Sequence, residues 1–98
     1  MKKIDIQNIR NAARVLRVIG HPDRLRIVEA LEGSSKTVKE LMKELGLLQV
    51  TVSKHLAELK KHRIVRSEAV SNFRHYSIIY PNVIHVLNCL RFHGGKNR

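Results

Sequence analysis

A chain of 98 residues is short even for one domain, so its core is thin, and 43% hydrophobic residues is too many for a disordered segment. Lys and Arg number 19 against 8 Asp and Glu, a formal net charge of +11; solubility does not require so one-sided a balance, and a polyanion is the expected partner, nucleic acid before an anionic membrane surface. One cysteine excludes an intrachain disulfide, no apolar run approaches the roughly 20 residues of a membrane span, and MKKIDIQNIRN lacks an apolar stretch of signal-peptide length, so the expectation is a soluble cytoplasmic protein.

Aromatic residues are only 4% and Trp is absent, so the core must be built from Leu, Ile and Val. Residues 4 to 19 place Ile9, Ala12, Ala13, Leu16 and Ile19 at helical spacing, an apolar stripe, with Arg10, Arg14 and Arg17 off it and expected to be solvated. Gly20-His21-Pro22 is read as a stop and a start: Gly as the residue just past one helix, Pro at the first position of the next. That second helix runs from about Pro22 to Glu32 with Leu25, Val28 and Leu31 inward, and Gly33-Ser34-Ser35 ends it.

Thr37-Val38-Lys39-Glu40 fits a capping box that opens a short third helix, with Val38, Leu41, Met42 and Leu45 apolar and Gly46 at its close. A fourth helix follows from about Gln49 to His62. On a helical wheel Val52, Leu56 and Leu59 form its core side; Val50, Lys54, Ala57 and Lys61 lie opposite, flanked by Thr51 and Ser53. Two helices joined by a tight turn, the second with short polar groups and lysine outward near its start, make a helix-turn-helix that suits the major groove of DNA.

From Ile64 the period changes to two: Val65 to Val70 runs out, Ser71-Asn72 turns, and Arg74 to Ile78 returns, a hairpin with Phe73 near its tip. Pro81 opens a last helix to about residue 92, with Val83, Val86, Leu87 and Leu90 on one face and Ile84 and Phe92 elsewhere. Apolar residues on more than one face imply that it packs against something beyond its own domain. Lys96-Asn97-Arg98 is expected as a loose basic tail. The fold class is mainly α with a small β-hairpin, in the order α-α-α-α-β-β-α, one winged helix-turn-helix domain over residues 1–98.

Three motifs in this order carry a resemblance: IGHPDRLRIVEAL from Ile19 to Leu31, then LGLLQVTVSKHL within Lys39 to Glu68, then RHYS at the end of the hairpin. Together they resemble the ArsR/SmtB family of small bacterial and archaeal repressors, over roughly residues 12 to 92. The resemblance implies a homodimer joined through its first and last helices, binding a palindromic operator in double-stranded DNA as a repressor, with no cofactor and no enzymatic activity. No paired carboxylates, phosphate loop or nucleophile–base set stands against that.

Carried over by position, the family's reading residues fall on Gln49, Thr51, Ser53, Lys54 and His55. Gln can pair with adenine, Thr and Ser suit a base or a phosphate, and Lys54 suits a phosphate or guanine. His55 lies nearer the buried flank, where it is equally a packing residue with a polar tip. Leu48 replaces the usual Ser cap, which forfeits ~1 kcal/mol unless the turn supplies an acceptor, and Val50 replaces a small polar residue and suits a thymine methyl. Asn72 and Arg74 of the wing are placed at a phosphate or the minor groove; the bland alternative is a solvated hairpin tip.

The effector is unread. Positions where relatives carry a metal-binding C-x-C hold Thr37 and Lys39, and those of a second family site hold Ile79, Tyr80 and Asn82. His85, Cys89 and His93, spaced i, i+4 and i+8 on the last helix, remain a candidate metal or thiol sensor, against which stands the reach that one rigid helix lacks. A protein-contact winged helix is the alternative from another class; the small polar face of the fourth helix speaks against it.

Overall fold

The structure, a computed structural model, describes residues 3–79 and 83–94, and of residues 92–94 the backbone alone. Its elements are α1 (Ile6–Ile19), α2 (Pro22–Ala30), α3 (Val38–Leu45), α4 (Gln49–Lys61), β1 (Val65–Val70), β2 (Phe73–Ile78) and α5 (Val83–Gly94). This is the expected order, a winged helix-turn-helix. Pro81 and the tail Lys96-Asn97-Arg98 lie outside the described residues.

Aliphatic side chains from every helix meet in one core: Val18 and Ile19 of α1, Ile27 and Val28 of α2, Leu41 of α3, Val52, Leu56 and Leu59 of α4, Val83 and Leu87 of α5. Ile64 and Val65 close it beneath the hairpin. The expected core side of α4 is correct: Val52, Leu56 and Leu59 are each 1% exposed or less. In α2, Val28 and Leu31 are buried as expected, Leu25 is half-buried, and Ile27 joins the core.

The stripe read on α1 is largely exposed. Val15, Val18 and Ile19 are buried, whereas Ile9 is 46% and Leu16 53% exposed, with Ala12 and Ala13 also outside. The helix has two apolar faces about a quarter-turn apart; the one carrying Val15 and Val18 packs inward, and only Ile19 belongs to both readings. Arg14 is not simply solvated either: its guanidinium donates to the carbonyl of His62 at 2.9 Å and so caps the end of α4.

Helix ends follow their local chemistry. Pro22 stands in the first turn of α2, and His21 caps that helix through its side chain. Gly20 stands just past α1 with an ordinary negative φ of −76°; glycine is required there because a Cβ would lie 2.9 Å from the Leu16 carbonyl oxygen. The capping box of α3 is formed: Glu40 N–H donates to Thr37 Oγ1 at 3.2 Å, and Thr37 N–H donates to Glu40 Oε1 at 2.8 Å. That backbone bond holds the Glu40 carboxyl below its ordinary pKa.

The hairpin pairs Val65 with Ile78 through to Val70 with Phe73, and its two-residue turn has Ser71 at φ 59°. Lys36 adds a third strand position: it exchanges both backbone bonds with Tyr76, at 3.0 and 2.8 Å. The wing is thereby tied to the segment that opens α3. At the other end, Arg91 on α5 pairs with Glu32 just after α2 and holds that carboxyl below its usual range.

Candidate nucleic-acid interface

Gly46, at φ 68°, adopts the left-handed conformation that ends α3 and turns the chain into α4. Its N–H and that of Leu47 both donate to the Met42 carbonyl, at 2.8 and 3.3 Å. Leu48 then occupies the N-cap of α4 with no side-chain hydrogen bond, and it is 72% exposed. The first N–H groups of α4 therefore lack a capping side chain at the end where the helix dipole is positive.

The outward side of α4 is as the wheel reading placed it. Gln49, Val50, Ser53 and Lys54 are exposed, Val50 to 70%, while Thr51 is half-buried at the flank. His55 departs from this group. It is 8% exposed and sits in the seam between α2 and α4, where Arg24 Nε donates to its Nδ1 at 3.1 Å. Arg24 also donates to the Val18 carbonyl at 3.0 Å, and the His21 ring lies 4.5 Å away at 58°. Burial, then the neighbouring His21 and Arg24, depress the His55 pKa.

The wing approaches the start of α4. A groove of about 450 Å³ brings Gln49 together with Asn72, Phe73 and Arg74, and Thr37, Val38, Lys39 and Met42 line the rest of it. Two predicted wing residues and one predicted helix residue thus share a concave surface. Arg74 does not point freely from the tip: its guanidinium donates to Ser67 Oγ at 3.1 Å, and Lys60 donates to the same hydroxyl at 3.0 Å. Phe73, 62% exposed at the wing tip, was not among the expected contacts; an aromatic beside a tight turn was the signal available for it. His21 and Arg24 were also missed, and their proximity to His55 across 31 positions has no local signature.

On α5, His85 and Cys89 are exposed, and the side chain of His93 lies outside the described residues. Among the described residues the one set with metal-type spacing is elsewhere: donor atoms of His21, Asp23 and His55 lie within 4.8 Å of one another.

A paired α3–α4, a hairpin beside it and an exposed polar face on α4 define a DNA-binding winged helix-turn-helix regulator. The family model described as "Bacterial regulatory protein, arsR family" matches residues 21–67. The uncharacterized HTH-type transcriptional regulator MJ1325 of Methanocaldococcus jannaschii is 31% identical over 84% of this chain and 93% of its own length. The transcriptional repressor PagR of Bacillus anthracis is 30% identical over 90% of this chain and 89% of its own. The crystal structure of the transcriptional repressor BigR from Xylella fastidiosa superposes with a TM-score of 0.82 at 26% identity, over 92% of this chain and 93% of that one. The chain belongs to the arsR family: it is a transcriptional regulator with a DNA-binding helix-turn-helix, and not an enzyme.

Proposed function

We propose that two copies of this chain form a homodimer that represses transcription by binding an inverted-repeat operator, one α4 in each of two successive major-groove faces. The observation that carries this reading is the outward side of α4, where Gln49, Val50, Ser53 and Lys54 are exposed above an inner side of Val52, Leu56, Leu59 and the buried His55. Gln49 and Ser53 offer hydrogen bonds to base edges, Val50 a contact for a thymine methyl, and Lys54 a charge for phosphate. Thr51, half-buried at the flank, supports the same face. The groove shared by Gln49 and the wing residues Asn72 and Arg74 supports the hairpin lying along the neighbouring backbone, with Arg74 leaving Ser67 to reach it. Exposed Ile6, Ile9 and Leu16 on α1 and Leu90 on α5 support a second copy as the partner of these helices. Repression is the function named for PagR, and the cytoplasm is the compartment consistent with such a role.

Fluorescence anisotropy with the chain's own upstream region and with random duplexes tests the proposal. Specific binding should exceed random binding by about a thousandfold or more. Gln49→Ala should relax base preference, and Lys54→Ala should weaken all sequences alike and lower the salt slope by about one. Equal affinity for both duplexes would remove the operator-specific reading.

A further inference from the structure

Beside the outward side of α4 lies a second hollow, of about 430 Å³, lined by His21, Asp23, Val50, Thr51, Lys54 and His55. The spacing of its two imidazoles and one carboxylate is that of a metal site, but the hydrogen bonding is not. His21 Nδ1 accepts from the backbone N–H of Asp23 at 3.1 Å, and His55 Nδ1 accepts from Arg24 Nε at 3.1 Å. Both donors are groups that only donate, so each Nδ1 lone pair is engaged and each neutral ring carries its proton on Nε2. A protonated Nε2 cannot ligate a cation; it donates a hydrogen bond. Neither Nε2 has a partner among the described residues, and no buried side-chain nitrogen or oxygen there is left unsatisfied, so both nitrogens reach solvent.

We propose that His21 and His55 donate their Nε2–H groups to one phosphate of the DNA backbone, seated in the hollow beside Thr51 and Lys54. The inference rests on the reading of α4 as the groove-entering helix. The hollow shares Val50, Thr51 and Lys54 with the outward side of that helix, so a phosphate flanking the bases that α4 reads falls next to it. Lys54 contributes positive charge, and Arg24 stands behind the His55 ring. Asp23, the carboxylate on the wall, is paired with Arg26 at 3.4 Å, which offsets its repulsion of an anion. Depression of the His55 pKa by burial keeps that ring in the neutral form the two tautomers require. The contact fixes the position of α4 without reading sequence, and it links the start of α2 to the DNA.

The test uses the full-length protein and an operator selected from a random pool, in which each phosphate in turn is replaced by an uncharged methylphosphonate. His21→Asn keeps a cap on α2 and His55→Asn keeps an acceptor for Arg24, while both remove the Nε2–H. One phosphate in each half-site should weaken wild-type binding about tenfold when neutralised, and less than about twofold in either variant, with base preference unchanged. Identical phosphate profiles in wild type and variants overturn the proposal and leave the regulator reading intact; wild-type protein that selects no duplex overturns both. Free inorganic phosphate at matched ionic strength should leave DNA affinity unchanged, and competition that disappears in His21→Asn would assign the hollow to a free anion instead. Stoichiometric Zn²⁺ uptake by the wild type, lost in His21→Asn, would show unprotonated Nε2 atoms and overturn the assignment.

Discussion

The α3–α4–wing region and the outer helices α1 and α5 both expose apolar side chains, but on different terms. Around α4 they are scattered on a polar surface: Leu48 at the turn, Val50 on the helix, and the cross-strand pair Val70 and Phe73 at the wing tip. Along α1 they repeat with the helix, Ile6, Ile9 and Leu16 on one side with Ala12 and Ala13 between them, and Leu90 adds a further one on α5. Isolated exposed apolar residues are normal on protein surfaces, and one beside a polar helix face suits a methyl group in a groove. A periodic stripe is different, because its burial elsewhere would stabilise an assembly. The contrast teaches that one region is shaped for a polar, charged partner and the other for a second apolar surface.

The comparison breaks first if the scaffold beneath α4 is not what holds its outward side in place. Leu56→Ala removes a side chain 1% exposed at the centre of the core and should destabilise the fold by about 2–5 kcal/mol, measured by urea denaturation. A small loss would mean that α4 owes little to its inner side.

Charging the α1 stripe tests the outer helices. Leu16→Glu changes a side chain 53% exposed in the single chain, so monomer stability should hardly move. If the stripe meets a second copy, sedimentation should show the mass of one chain, and operator affinity should fall on the order of 100-fold through loss of the linked second half-site. An unchanged dimer would place the subunit contact elsewhere.

At the reading end, Leu48→Ser restores a side-chain acceptor to the uncapped start of α4 and should raise stability by about 1 kcal/mol. The smallest effect concerns pH. Because the His55 pKa is depressed in the folded chain, the unfolded chain takes up a proton below about 6.5 that the native ring refuses. Stability therefore falls as pH drops from that value through the lowered native one. His55→Asn should flatten that part of the profile relative to wild type; parallel profiles would show that the ring is not confined as described.

Much of this was legible in the chain itself. The capping box at Thr37 and Glu40, the glycine turn at Gly46, the core side of α4 and the hairpin turn at Ser71-Asn72 are local in sequence, and each was read where it stands. On α1 the stripe alone leaves the core face open, because periodicity shows that a helix has an apolar face without saying which of two faces meets the core. Gly20 stands just past α1 as its place in the chain implies, but the steric reason for it, the carbonyl of Leu16, shows only in the folded helix. The seam of His21, Arg24 and His55 was invisible for a different reason: it joins residues 31 positions apart, and only the packing of α2 on α4 brings them together. For His55 the chain leaves two readings, a base-reading residue and a packing residue with a polar tip, and its burial at 8% exposure fits the second.

Selection of bound duplexes from a random pool tests most directly the claim that two copies present paired α4 helices to DNA. The account predicts an inverted repeat whose half-sites are centred about one helical turn apart, roughly 10–10.5 base pairs. A single unrepeated site, or no enrichment over the starting pool, would contradict it.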